Sequence, residues 1–260
     1  MRRRTAAWSM FVACCLPASA RAGWTAKQVQ DMPGHSIESK ITYAHHRLKI
    51  ENGPQVMLID LRSGDMTFMH AQQKRWATVS LEELVRQQNE ALTRMESQLD
   101  TLPPAVRKQV AAQLEAQKRA AGEPLELKKT NAFETIDGRR CRIHEFSSVE
   151  GAGKACLTDE DPFDLGGYRQ DARGLRDKLA QMKAGGTKSS MVFLELAGRG
   201  FPLKTEQTLN LGGRSITTTV VFEDLKPVEV PTSAMKPPPS FERVSFQDMM
   251  GGLSMGPATP

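Results

Sequence analysis

The 260-residue sequence predicts an α+β fold: an antiparallel sheet with an inserted helical hairpin and one further helix. Three observations carry that prediction. Short alternating runs separated by turn residues fill positions 36–80, apolar spacing then changes from period two to period 3.6 at Ser80, and strand-like alternation returns from about residue 125.

The first block contains five strand-like runs. Ile37, Ile41 and Tyr43 alternate with polar residues, and Leu48 and Ile50 do so before Asn52-Gly53, a strong hairpin dipeptide. Residues 55–61 follow, then Ser63-Gly64-Asp65, then runs at 66–70 and 75–79. No connection is long enough for a parallel crossover, so the block reads as a meander. Ser80-Leu81-Glu82-Glu83 is a capping box, and Leu81, Leu84, Val85, Leu92, Met95 and Leu99 make one stripe of a helix running to about Leu99. Pro103-Pro104 starts a second helix ending near Gly122, with Val106, Val110 and Leu114 on a narrower stripe. Together residues 81–121 form an exposed helical hairpin.

Strands return over 125–160. Pairing 140–148 with 154–158 across Gly151 and Gly153 sets Cys141 and Cys156 nearly opposite each other. A helix after Gly166-Gly167 carries Ala172, Leu175, Leu179 and Met182 and stops at Gly185-Gly186. Residues 191–196, 201–209 and 214–223 read as three more strands.

The N-terminus has the layout of an export signal. Arg2-Arg3-Arg4 precedes an apolar stretch from Ala6 to Leu16, and small residues favour cleavage after Ala22. The competing reading, lipidation at Cys14, has Phe11 where leucine is preferred. The apolar stretch is far short of the roughly 20 residues of a membrane span, and nothing later is longer. The expected organisation is therefore a signal peptide (1–22), a polar lead (23–35), a single domain (36–231) and a Pro/Gly-rich, partly disordered tail (232–260). The expected location is the periplasm or the extracellular medium, with no transmembrane segment.

Charge changes meaning once the signal is removed. The formal +5 includes four arginines at positions 2, 3, 4 and 21, leaving 31 basic against 30 acidic side chains. Lys128-Lys129 and Arg139-Arg140-Arg142 are too small for a nucleic-acid footprint, so no nucleic acid is expected as partner. Cys141 and Cys156 are the only cysteines left, and in an oxidising compartment they pair. Their spacing suits neither a metal site nor a catalytic thiol pair.

The element order resembles a family of exported bacterial proteins built on a domain of unknown function (4412-like), whose fold is similar to the LolA/LppX lipoprotein-carrier half-barrel. The resemblance rests on Leu58-Ile59-Asp60-Leu61, Met66-Thr67-Phe68, Leu102-Pro103-Pro104-Ala105-Val106-Arg107, the run Glu134-Thr135-Ile136-Asp137-Gly138-Arg139-Arg140-Cys141-Arg142-Ile143, and Gly200-Phe201-Pro202-Leu203-Lys204-Thr205-Glu206. It implies a strongly curved sheet, a cell-envelope location and an apolar cavity fit for a lipid or lipoprotein acyl chain.

Catalytic signatures are missing: there is no GxSxG elbow, P-loop or strand-anchored GxGxxG. The chain reads as a non-enzyme with no cofactor. Of the five histidines (35, 45, 46, 70 and 144), adjacent His45 and His46 point to opposite sides of an extended chain and cannot share an ion without a turn. Met66, Met69 and His70 supply soft donors for a third, metal-binding reading, although core methionines are commoner. Leu48, Ile50, Met57, Ile59, Phe68, Trp76, Phe193, Leu203, Ile216 and Val220 are the candidates to line a cavity on the inner side of the sheet. The hairpin 81–121 is the candidate contact element for an envelope partner.

Overall fold

The computed structural model describes residues 22–122, 126–148, 151–158, 166–181, 188–211 and 214–253. The signal segment lies outside them apart from its last residue, as do Met182 and Gly185-Gly186.

The five runs of the first block are strands β2 (His35–Ala44), β3 (Arg47–Asn52), β4 (Gln55–Asp60), β5 (Met66–His70) and β6 (Arg75–Val79). The segment read as a polar lead is itself a strand, β1 (Ala22–Met32). Its Lys-Gln-Val-Gln stretch hides the alternation, but Trp24 and Ala26 are buried. After the hairpin come β7 (Glu126–Ile136), β8 (Arg139–Ser148), β9 (Gly151–Thr158), β10 (Phe201–Leu211), β11 (Arg214–Glu229) and the two-residue β12 (Glu242–Arg243).

All twelve strands join one open, α+β sheet in the order β12-β6-β5-β4-β3-β2-β1-β11-β10-β9-β8-β7. Strand β1 is the seam: it pairs antiparallel with β2 on one side and with β11 on the other. Every pairing is antiparallel except β12 with β6, which is parallel. The turn His45-His46 joins β2 to β3 with φ of 52° and 63°, and Asp137-Gly138 joins β7 to β8 with 48° and 72°. Positive φ at both central residues matches the right-handed twist of the flanking strands.

The helices are α1 (Leu81–Gln98), α2 (Pro104–Gly122), α3 (Gly166–Gln181), α4 (Lys188–Arg199) and α5 (Phe246–Leu253). Ser80 caps α1 by accepting from the Glu83 N–H at 3.1 Å. The Glu83 carboxylate is held by Arg86 and Gln87 rather than turned back on the cap. Only the base of α1 is buried, at Leu81 and Val85; further out Met95 is 42% exposed and Val106 on α2 is 45% exposed.

Residues 191–196, read as a strand, lie in α4, because Val192 and Leu196 are one helical turn apart and pack on Phe146, Ala155 and Leu157. A short apolar run fits either element, and tertiary packing selects the helix. Of the tail, residues 232–253 are described: Met235 and Met249 are buried, and β12 and α5 lie within it. Its apolar residues are few, but Met235 and Phe241 pack against the sheet.

Candidate functional site

An apolar cavity beneath the helices is the candidate site. Register explains why it forms against the first half of the sheet. One cross-strand row runs Trp24, Tyr43, Leu48, Ile59, Met66, Val79, and a second runs Ala26, Ile41, Ile50, Met57, Phe68, Ala77. Period-two alternation brings both rows to the same face. Helices α1, α3 and α4 cover this face through Leu81, Val85, Ala172, Leu175 and Ala197. They do not fill it completely. A cavity of about 410 Å³ remains, walled by residues of both rows and by Leu175, Leu179, Phe193 and Leu194. Gln28 is the polar side chain in its lining. Ile50, Met57, Ile59, Met66 and Leu179 are only half-buried, so the lining keeps contact with solvent.

Of the ten cavity candidates, the structure brings five together: Leu48, Ile50, Met57, Ile59 and Phe193. Leu203 is fully buried in the main core, and Val220 packs against that core. Ile216 has the same strand parity as Val220 but lies outside the three buried clusters. Phe68 belongs to the second row, yet its ring meets Phe246 of α5 at 5.4 Å. Trp76 is on the other side of the sheet, packed with Leu58, Met69 and Met235. It pairs with Met69, one position out of phase with the cavity rows.

Beside the cavity lies a polar network that the sequence did not disclose. The Tyr43 hydroxyl donates to Asp171 Oδ2 at 2.7 Å, and His46 Nδ1 stands 2.8 Å from the same oxygen. Arg62 Nε is 3.5 Å from Oδ1. Asp171 is on α3, one turn before Leu175, so the network fastens the helix that roofs the cavity to the β2–β3 turn. Burial, then the bond to Asp171, raises the Tyr43 pKa well above its ordinary value. His45 and His46 form a turn rather than an extended pair, and His45 Nε2 lies 2.7 Å from the Val230 carbonyl. Only the proximity of α3 in space gives Tyr43 and His46 their shared partner Asp171, at a separation no local motif reaches.

The metal reading loses its geometry. Met66 pairs with Ile59 on the cavity face, whereas Met69 pairs with Val56 and Trp76 on the opposite face. The two sulfurs therefore point to opposite sides of the sheet. Among the described residues no three His, Cys, Asp or Glu side chains cluster as a metal site, and no helix is long and apolar enough to cross a membrane.

Cys141 and Cys156 are bonded across β8 and β9, with Cα atoms 5.2 Å apart. The register pairs Cys156 with Ile143, so the bridge joins diagonal neighbours. Both cysteines are buried.

No family model matches the chain, and no curated protein matches it in sequence. Among solved structures, PNGF-II is similar with a TM-score of 0.41 at 9% identity, over 88% of this chain and 32% of that chain. A chain of the Pseudomonas aeruginosa MucA/MucB complex gives 0.35 at 10% identity, over 86% of this chain and 59% of that one. A DUF1329 family protein from Desulfovibrio piger ATCC 29098 gives 0.21 at 6% identity, over 84% and 91%. The chain thus spans about a third of PNGF-II and under two thirds of the MucA/MucB chain. Likeness this distant assigns neither activity nor partner.

Proposed function

We propose that the protein is a non-catalytic component of the cell envelope, periplasmic or secreted, that holds an apolar ligand such as a lipid or lipoprotein acyl chain between the sheet and α1, α3 and α4. The cavity of about 410 Å³ with its nearly all-apolar wall carries this reading. It falls within the range of about 300–1,000 Å³ common for small-molecule sites. The disulfide suits an oxidising compartment.

The mechanism is burial without a covalent step. At about 0.8 kcal/mol per methylene, ten buried methylenes supply about 8 kcal/mol, a micromolar affinity before the costs of association are subtracted.

Native mass spectrometry of mature protein purified without detergent, followed by organic extraction, tests the reading. The expected result is an acyl species at near-unit occupancy. An empty protein that also fails to take up a fluorescent fatty acid overturns it. A second reading, docking of an envelope protein on the hairpin, is favoured by the exposure of Met95 and Val106. A double substitution Met95→Asp and Val106→Asp that keeps ligand and loses a partner would select it.

A further inference from the structure

The C-terminal segment passes from one face of the sheet to the other. Val230, Met235 and Phe241 cover the outer face of the first meander, over Leu58, Met69 and Trp76. The chain then rounds the free side of β6. The Glu242 N–H donates to the Lys74 carbonyl at 2.8 Å and the Val244 N–H to the Trp76 carbonyl at 2.9 Å, which makes the short parallel β12. Ser245 turns the chain by accepting from the Asp248 N–H at 3.0 Å, and α5 starts at once. Its first residue, Phe246, arrives on the cavity face against Phe68.

That landing point is the continuation of the cavity. The second row passes from Ile50 and Met57, both in the cavity wall, to Phe68 and then Ala77. Phe68 stands directly opposite Met57, and such pairs have Cβ atoms about 5 Å apart. Ala77, a small residue one strand from the edge, is fully buried, and Met249 of α5 is buried. The apolar second row therefore lines the cavity at Ile50 and Met57 and is covered at Phe68 by Phe246.

We infer that α5 is the end stop of the cavity and that Phe246 sets the length of the acyl chain the cavity accepts. This rests on the ligand-binding reading above. A chain lying along the second row meets Phe68 and Phe246 at its tip. Removing the Phe246 ring leaves a space continuous with the cavity, where further methylenes are buried.

The test is displacement of a fluorescent fatty acid by saturated acids from decanoate to stearate, using wild-type protein, Phe246→Ala and a chain ended after Val244, which keeps β12. Phe246→Ala is expected to shift preference toward longer acids, by about fourfold in affinity for each methylene newly buried. The shortened chain should shift it at least as far. Circular dichroism establishes that each variant is folded. Folded variants with the wild-type length profile overturn the end stop and leave ligand binding intact. A wild-type protein that binds no acid of the series overturns both.

Discussion

The Tyr43 hydroxyl and Asp171 Oδ2 are 2.7 Å apart and 128 residues apart in sequence. The bond ties the edge of the cavity floor to the helix that covers it. Asp171 is only 7% exposed, so its carboxylate depends on its donors. Tyr43→Phe keeps the ring packing and removes one of them, which should cost about 1–3 kcal/mol in urea unfolding at neutral pH. A change too small to resolve would mean that His46 and Arg62 alone satisfy Asp171.

The same burial governs the alkaline limit. Tyr43 and Tyr168 are the only tyrosines in the chain, and burial raises both above the ordinary value of about 10. A group whose pKa is raised by folding contributes stability below its unfolded value and loses it as pH climbs toward the folded one. Tyrosinate absorbance should therefore stay flat through pH 10 and appear only together with loss of helical dichroism. Ionisation of either tyrosine near pH 10 in folded protein would contradict the buried placement.

At the acid end the relevant group is Asp60. Burial opposes its ionisation, but the Ser63 N–H, the Arg47 guanidinium and the Arg62 N–H all donate to it, and the net effect lowers its pKa. Its contribution is in place above the unfolded carboxylate value of about 3.9 and fades as pH falls through the lower folded value. Asp60→Asn should flatten the fall in stability below about pH 4, measured as urea midpoint against pH.

Gly64 sets the first turn of α1 against the sheet. Its φ is +85°, and a Cβ there would stand 2.9 Å from the Leu81 Cβ. Gly64→Ala should lose at least about 1–2 kcal/mol from backbone conformation alone. It should also weaken ligand uptake, because both residues line the cavity. Unchanged thermal stability would show that the turn can relax.

The bridge between Cys141 and Cys156 closes a separation of 15 residues. Replacing both by serine should lower unfolding free energy by about 3 kcal/mol, with a matching drop when wild-type protein is reduced. Equal urea midpoints in the presence and absence of reductant would show that the buried cluster holds without the bond.

The amino-acid sequence by itself determined the α+β class, the five strands of the first meander, the hairpin with its Ser80 cap, and the disulfide pairing. These are local matters, because turn dipeptides, capping and the period of apolar residues act over a few positions. Only the tertiary structure decided the rest. It made β1 the seam of one sheet, although the polar residues of its second half hide the alternation, because two partner strands supply its hydrogen bonds. It turned 191–196 into a helix, since a short apolar run has no period of its own. Trp76 went to the outer face and Phe68 under α5, because register and the returning C-terminus decide what each side chain meets. The Asp171 network has the same cause: its members share no local pattern, and packing of α3 on the sheet is what brings them within hydrogen-bonding distance.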